Sequence, residues 1–239
     1  GRDVGGPGQY EALMLGMYCG LGNWVATGEA VCDWLAKRPE VDMSKVVLSG
    51  TSFGTFFGTL ATAHEPRISA AAVISVCHEP GCHTIFEEAS PTFKKRFMYM
   101  SGITDEAEFD KMRQGMTWEG HADKVKVPYL CVAGEFDELS PIEHSVRLVA
   151  AVKGPKRMVV YQESRHSVGN VPASYLGPFP PLLLAFLLSP RPPRIPFPSY
   201  PCYFSSTLPP DLIPLLPLIS SSLLHALTLS THSFHLSCP

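Results

Sequence analysis

The sequence predicts an α/β fold, in which helices cover both faces of a mostly parallel β-sheet. The first observation is that four short apolar runs, which suit buried strands, begin near residues 46, 70, 129 and 157 of the 239-residue chain. The second is that segments of helical character separate these runs, and strands that alternate with helices form parallel sheets. The third is a Gly-Thr-Ser-Phe-Gly pentapeptide at residues 50–54, which lies between an apolar run and a helical segment.

The elements around the pentapeptide follow from periodicity and from helix-breaking residues. Residues 24–37 carry apolar side chains at helical spacing, and Pro39 follows to end the helix. Residues 46–48, Val-Val-Leu, form a short buried strand. Residues 53–64 form the next helix, and the apolar residues 70–76 suit a strand of a parallel sheet that is buried on both faces.

The alternation resumes after a long insertion. Residues 79–123 are more charged than the rest of the domain and are predicted to be mostly helical. Strands are predicted at residues 129–133 and 157–161, and a helix runs between them from Pro141 to about Val152. Residues 1–176 therefore form one α/β domain in this interpretation.

Residues 177–239 differ sharply in composition from the domain. They contain 14 of the 23 prolines of the chain but only three charged residues, and no glycine follows Gly177. The apolar run at residues 182–188 is too short to span a bilayer. We interpret this Pro-, Leu- and Ser-rich tail as disordered or non-native, for example translated intron or frame-shifted sequence; the alternative is a genuine Pro-rich extension.

Charge and cysteine content exclude several classes of function. The formal net charge is −3 and no stretch is strongly basic, so neither nucleic acid nor an anionic membrane is an expected partner. Seven scattered cysteines, an odd number, suit a reducing compartment such as the cytoplasm. No signal peptide is visible, and because the chain starts without Met we expect its natural N-terminus to lie upstream. The expected partner is a small-molecule substrate, with a homodimer left open and no cofactor or metal.

The polar residues that follow the predicted strands suit covalent catalysis. Ser52 lies at the apex of a strand–turn–helix unit, where a hydroxyl stays exposed, and it needs an adjacent base to act as a nucleophile. His166 is the candidate base and Asp137 the candidate acid that orients it. All three follow strands, and ligands bind at the carboxyl ends of parallel strands. The order Ser, Asp, His is that of the α/β hydrolases.

Each of these residues has an alternative interpretation. Ser52 could be an ordinary turn serine, and His166 a solvated loop histidine. Asp137 could be a loop acid only, with Glu135 or Glu138 as the acid of the triad. The remaining histidines lie in helices, in the segment before a strand or in the tail, and they are weaker candidates for the base.

Two further features concern the surroundings of Ser52. The backbone N–H of Phe53, the residue after the nucleophile, is the predicted oxyanion-hole donor, and a second donor normally comes from an earlier loop. Two cysteines and two histidines at residues 77–83 could in principle bind zinc, but the C-x4-C spacing has no distant second pair. A loop near the pocket is favoured, in which His78 or His83 contacts substrate.

The chain resembles the α/β hydrolases, and more narrowly the FrsA-like group, over roughly residues 3–170. The resemblance rests on Gly-Pro-Gly-Gln at residues 6–9, Asp-Trp-Leu at 33–35, Arg-Pro-Glu-Val-Asp at 38–42, the pentapeptide at 50–54 and Gly-Glu-Phe-Asp at 134–137. The group includes a bacterial 2,6-dihydroxypseudooxynicotine hydrolase and fungal hydrolases that shorten polyketide chains. The resemblance implies the α/β-hydrolase fold, cleavage of a carbon–carbon bond next to a carbonyl, and a helical lid at about residues 79–123.

The same resemblance implies parts that this sequence lacks. The family has further strands and a helical region before the point that corresponds to Gly1, and a closing helix after the histidine. We therefore expect a fragment in which the strand at residues 46–48 loses a neighbour and has an unpaired edge. Three functions are open: a serine hydrolase of esters, thioesters or ketone carbon–carbon bonds, a serine peptidase of the prolyl-oligopeptidase type, and an inactive truncated hydrolase.

Overall fold

The computed structural model describes residues 2–168 and 226–229, and their strands form one parallel sheet of six. Across the sheet the strand order is β1-β6-β2-β3-β4-β5. The predicted α/β fold with a parallel sheet is confirmed. In chain order the strands are β1 (Arg2–Asp3), β2 (Val47–Ser52), β3 (Ala70–Val76), β4 (Tyr129–Gly134), β5 (Lys156–Tyr161) and β6 (Ala226–Leu229).

Six α-helices connect or flank these strands in the described part of the chain. They are α1 (Tyr10–Met14), α2 (Leu21–Ala36), α3 (Phe53–His64), α4 (Pro91–Ser101), α5 (Glu106–Gln114) and α6 (Ile142–Ala151). A π-helix at Thr84–Ala89 precedes α4, and short 3-10 turns lie at Met43–Lys45, Pro80–Cys82 and Ala122–Lys124. None of these helices is long and apolar enough to cross a bilayer.

Both faces of the sheet are buried, which is why its strands are continuous apolar runs. Successive side chains of a strand point to opposite faces. On one face Leu48, Val73 and Cys131 pack in a core that also includes residues of α2, α3 and α6. On the other face a separate cluster is formed by Val47, Ala70, Ala72, Leu130, Val132 and Val159.

Several predicted boundaries agree with the structure. The helix at residues 53–64 and the strand at 70–76 have the predicted bounds. The strand ahead of the pentapeptide, predicted at residues 46–48, extends to Ser52, so the pentapeptide begins inside β2. Helix α2 begins at Leu21, earlier than predicted, and α1 was not predicted.

The segment between β3 and β4 is helical, as predicted, and its charges link its own helices. The Nζ atom of Lys94, in α4, lies 3.0 Å from a carboxylate oxygen of Glu87 and 3.0 Å from one of Asp110. Arg113, in α5, contacts the same two carboxylates at 3.0 and 2.7 Å. Ser90 caps α4 and Asp105 caps α5, each by accepting from a backbone N–H of the first turn.

The expected unpaired edge at β2 is wrong. Strand β6 pairs with β2 in parallel, with Val47 opposite Ala226 and Gly50 opposite Leu229, and β1 pairs with the far side of β6. A four-residue strand from the tail thus fills the place beside β2. The tail, residues 177–239, is predicted to be disordered or non-native. Apart from β6, its residues lie outside the described part of the chain.

Candidate active site

Ser52 lies at a sharp turn between β2 and α3. Its backbone has φ 54° and ψ −125°, a combination that is rare for a residue other than glycine. The turn is so tight that a Cβ atom added to Gly50 would lie 2.2 Å from the carbonyl oxygen of Gly54. Gly50 therefore allows the strand end and the helix start to pack in contact, and Ser52 remains partly exposed at the apex.

Ser52, His166 and Asp137 form one chain of hydrogen bonds. The Oγ atom of Ser52 lies 3.0 Å from Nε2 of His166. The Nδ1 atom of the same ring lies 2.9 Å from Oδ2 of Asp137 and 3.0 Å from Oδ1. The structure brings together the three residues that the sequence analysis selected, at the end of β2 and on the loops after β4 and β5.

The Asp137 carboxylate is held in place by its own loop. Its Oδ1 atom accepts from the backbone N–H groups of Leu139 and Ser140, at 2.9 and 3.0 Å. The side chain of Asp137 is fully buried and that of His166 is 13% exposed. A buried carboxylate against an imidazole Nδ1–H fixes the ring orientation and leaves Nε2 to accept a proton from the serine.

The two glutamates that the sequence left as alternative acids contact backbone, not the imidazole ring. Oε2 of Glu138 accepts from the backbone N–H of His166 at 3.0 Å. Oε2 of Glu135 accepts from the backbone N–H of Glu163 at 3.1 Å. Of the three acids in this loop, Asp137 is the one that the structure places against His166 Nδ1.

Cys77 is a neighbour of the serine that the sequence analysis did not identify as such. It follows β3, and its Sγ atom lies 3.7 Å from Oγ of Ser52. Burial is the main reason that the pKa of the Cys77 thiol rises to about 12, so the sulfur stays protonated and is a poor nucleophile. The strand order could have suggested this contact, because β3 lies between the strands that carry Ser52 and Asp137.

Phe53 places its ring against the helical insertion. The ring centroid lies 4.2 Å from that of Phe97 and 5.9 Å from that of Phe86. The insertion thus packs beside the serine turn. Phe53 is also the first residue of α3, and the first N–H groups of a helix have no acceptor within the helix. This geometry suits the predicted oxyanion donor.

The two histidines expected near substrate lie in different surroundings. His78 is fully buried, its Nδ1 atom lies 2.9 Å from Oγ of Ser145, and its backbone N–H donates to Ser140. Burial lowers the pKa of His78 to about 3, so its ring is neutral. The ring contacts Ser145 of α6 and is closed off from solvent in this structure, and its contact with substrate stays a prediction. His83 is exposed and lies 3.4 Å from Glu88, and its contact with substrate stays a prediction.

Among the residues that the structure describes, no group of three or more histidines, cysteines, aspartates or glutamates is arranged to hold a metal ion. Cys77 and Cys82 are both buried, and burial raises the pKa of each thiol.

A family comparison identifies the domain. The model of the prolyl oligopeptidase family, Peptidase_S9, matches residues 25–175, more than half of the chain. The chain belongs to the prolyl oligopeptidase family. The match includes the serine turn and the loops of Asp137 and His166, and together with the parallel sheet it shows the α/β-hydrolase fold. No curated protein matches the sequence.

Solved structures share the fold at low sequence identity. The 2,6-dihydroxy-pseudo-oxynicotine hydrolase has a TM-score of 0.62 at 22% identity over 75% of this chain and 49% of its own. Acetyl xylan esterase 1 from Thermoanaerobacterium sp. JW/SL YS485 has a TM-score of 0.52 at 18% identity, and the match covers 68% of this chain and 51% of the esterase. Est1E from Butyrivibrio proteoclasticus has a TM-score of 0.54 at 21% identity, and the match covers 71% of this chain and 72% of Est1E. The chain thus spans about half the length of the first two. The family match supports the predicted α/β-hydrolase superfamily, and these neighbours share its fold; membership of the narrower FrsA-like group stays a prediction.

Proposed function

We propose that the chain is a serine hydrolase that acts through Ser52, His166 and Asp137 on an ester or on a carbon–carbon bond next to a carbonyl. The observation that carries the proposal is the continuous contact from Ser52 Oγ to His166 Nε2 and from His166 Nδ1 to Asp137, at 3.0 and 2.9 Å. The strained serine turn supports it, since such strain is typical of nucleophile elbows.

The proposed reaction is a two-step acyl transfer. Ser52 Oγ attacks the carbonyl carbon while His166 Nε2 takes the hydroxyl proton, and the N–H of Phe53 donates to the oxyanion. The leaving group departs with the proton from His166, as an alcohol from an ester or as a carbon acid from a ketone. Water then attacks the acyl group, gives a proton to His166, and releases the carboxylic acid, with the proton returned to Ser52.

A peptidase is the second candidate, and the match to the prolyl oligopeptidase family is the observation that favours it. The same three side chains would transfer an acyl group from an amide, with an amine as the leaving group. Turnover of p-nitrophenyl esters, aryl ketones and prolyl amides by one preparation separates the two candidates. A third outcome, no turnover and no labelling of the serine, would support an inactive chain.

Labelling by a fluorophosphonate tests the nucleophile directly, because the reagent reacts with a serine that an imidazole activates. We expect the full chain to be labelled, Ser52→Ala to lose all labelling, and the exposed control Ser44→Ala to label as the unmodified chain does. Asp137→Asn should label up to about 10⁴-fold more slowly, because the imidazole tautomer is lost; Asp123→Asn is its control. Undiminished labelling of Ser52→Ala would contradict the proposal.

A further inference from the structure

Two carboxylates after β4 bind the backbone of the loop that carries His166. Glu138 accepts from the N–H of His166 itself, at 3.0 Å, and Glu135 accepts from the N–H of Glu163, at 3.1 Å. Neither carboxylate contacts the imidazole ring in these bonds. The proposed base is therefore held at two points by neighbouring residues of one loop: Asp137 binds the ring and Glu138 binds the main chain.

The histidine loop adopts a backbone that needs such support. Glu163 has φ 55° and Val168 has φ 51°, in the region that side-chain-bearing residues rarely adopt. Such residues each cost about 1–3 kcal/mol and persist only where surrounding contacts hold them. Because these two positions flank His166, the placement of its imidazole depends on contacts from outside the loop.

The loop after β4 supplies those contacts along its length. The backbone N–H of Phe136 donates to the carbonyl of Ser164 at 2.9 Å, in addition to the two carboxylate contacts. A Cβ atom added to Gly134 would lie 2.4 Å from the carbonyl oxygen of Arg165, so the two loops pack backbone to backbone. Of these contacts with the main chain of the histidine loop, the one from Glu138 is made at His166 itself.

Glu138 is suited to this contact because it stays ionised. Burial alone would raise the pKa of its carboxyl, but the pKa is lowered, because backbone N–H groups of His166 and Glu138 donate to it and His166 and Arg165 lie nearby. An ionised carboxylate makes a charge-assisted hydrogen bond, which is roughly twice as strong as a neutral one. The side chain thus binds the His166 backbone throughout the neutral pH range.

We propose that Glu138 is a positioning residue that sets the distance from His166 Nε2 to Ser52 Oγ by fixing the His166 main chain, with Glu135 as a second support. This inference rests on the proposed function. Misplacement of a catalytic group by about 1 Å can cost about 10²-fold in rate. Loss of the Glu138 contact therefore slows the transfer of the Ser52 proton and does not change how a reagent enters the site.

The test measures fluorophosphonate labelling at several reagent concentrations, which separates the maximal rate constant kinact from the binding constant KI. We expect Glu138→Ala to lower kinact by about 10- to 10²-fold with KI unchanged. Glu138→Gln keeps an acceptor oxygen but loses the charge, so its kinact should lie between those of the unmodified chain and Glu138→Ala. Glu138→Asp keeps the charge but is shorter, and should resemble Glu138→Ala. Glu143→Ala, an exposed glutamate of α6, is the matched control.

A second readout does not depend on reactivity. The low-field proton resonance of His166 Nδ1–H, assigned by its absence from His166→Gln, reports the bond to Asp137. We expect this resonance to weaken or shift in Glu138→Ala, and to persist in Glu138→Gln and Glu143→Ala. If the unmodified chain is not labelled but the resonance responds in this way, the proposed function fails and the positioning role stands.

The inference is overturned by an unchanged resonance in Glu138→Ala, or by a kinact in that variant equal to that of the unmodified chain. It is also overturned if Glu138→Gln is as slow as Glu138→Ala, because an acceptor oxygen is then not sufficient to hold the loop. Thermal melting of each variant accompanies the measurement. If Glu138→Ala is unfolded, Glu138→Asp decides the outcome, because it keeps the carboxylate and shortens its reach.

Discussion

Gly50 and Ser52 show that the serine turn is determined by backbone space as much as by the hydroxyl. Ser52 adopts φ 54°, and the chain can turn there because Gly50 approaches the carbonyl of Gly54 without a side chain between them. The pentapeptide could be recognised in the sequence in part because this requirement selects glycine at position 50. No motif marks the contact of Cys77 with Ser52, and only the order of the strands in the sheet could have suggested it.

A comparison of two glycines tests this account. In Gly50→Ala the new Cβ would meet backbone atoms at 2.2 Å, which cannot move aside as a side chain can. We expect a loss of about 1–3 kcal/mol of unfolding free energy, measured from urea midpoints, together with slower fluorophosphonate labelling. Gly22→Ala is the control, because no atom lies within 4 Å of its new Cβ, and it should gain about 0.4–1 kcal/mol. Equal midpoints for Gly50→Ala and the unmodified chain would contradict a tightly packed turn.

At the scale of the elements, the sequence predicted best those that have a period and clear ends. Helix α3 and strand β3 have the predicted bounds, because one has helical spacing after a glycine turn and the other is a continuous apolar run. The π-helix at Thr84–Ala89 was predicted only as part of a helical insertion, since local periodicity does not distinguish the helix types.

The less predictable features depend on contacts between elements that are distant in sequence. The five-residue α1 and the four-residue β6 are too short to show a period. The role of Glu138 depends on a residue 28 positions later in the chain. Sequence reasoning could therefore name the three site residues, which follow strand ends, but not the groups that position them.

The contact between the end of α3 and the turn before β4 makes stability depend on pH. His64 Nε2 and His121 Nδ1 lie 2.8 Å apart, so one ring donates and the other must accept in its neutral form. The pKa of each ring is lowered, chiefly by burial; the positive charge of Lys124 also lowers both. Because the folded-state pKa of each ring lies below the unfolded value of about 6.5, the unfolded chain binds more protons than the folded chain at a pH between these two pKa values. The pair therefore contributes stability above about pH 6.5 and loses it as the pH falls further.

We expect the melting temperature of His121→Asn to fall less between pH 7 and pH 5 than that of the unmodified chain. His83→Asn is the matched control, because His83 is an exposed histidine that contacts neither ring of the pair. His78, whose pKa is also lowered, affects all three proteins alike, so the difference between variants isolates the pair. Parallel melting curves for His121→Asn and the unmodified chain would contradict this account.

At the scale of the whole molecule, the sheet depends on a strand from the far end of the chain. Strand β6 lies between β1 and β2, so four residues near the C-terminus complete the hydrogen bonding of the strand that carries Ser52. A parallel strand that is apolar on both faces is a pairing site for other chains when its edge is bare. The sheet of the described domain, and with it the serine turn, is therefore coupled to a segment whose composition does not resemble the rest of the chain.

Leu227→Pro tests this coupling, because proline has no N–H to donate and is disfavoured in the middle of a sheet. Leu227 lies opposite Leu48 in β2, and a proline in the middle of a sheet removes a hydrogen bond of the ladder. We expect Leu227→Pro to lower the urea midpoint and to elute as larger assemblies in size-exclusion chromatography with light scattering, because the edge of β2 becomes available to a second copy. Leu227→Ala keeps the backbone donor and is the control, with the elution volume of the unmodified chain. If Leu227→Pro keeps both the midpoint and the elution volume, β2 does not depend on β6, and the sheet from β2 to β5 is sufficient to hold the serine turn.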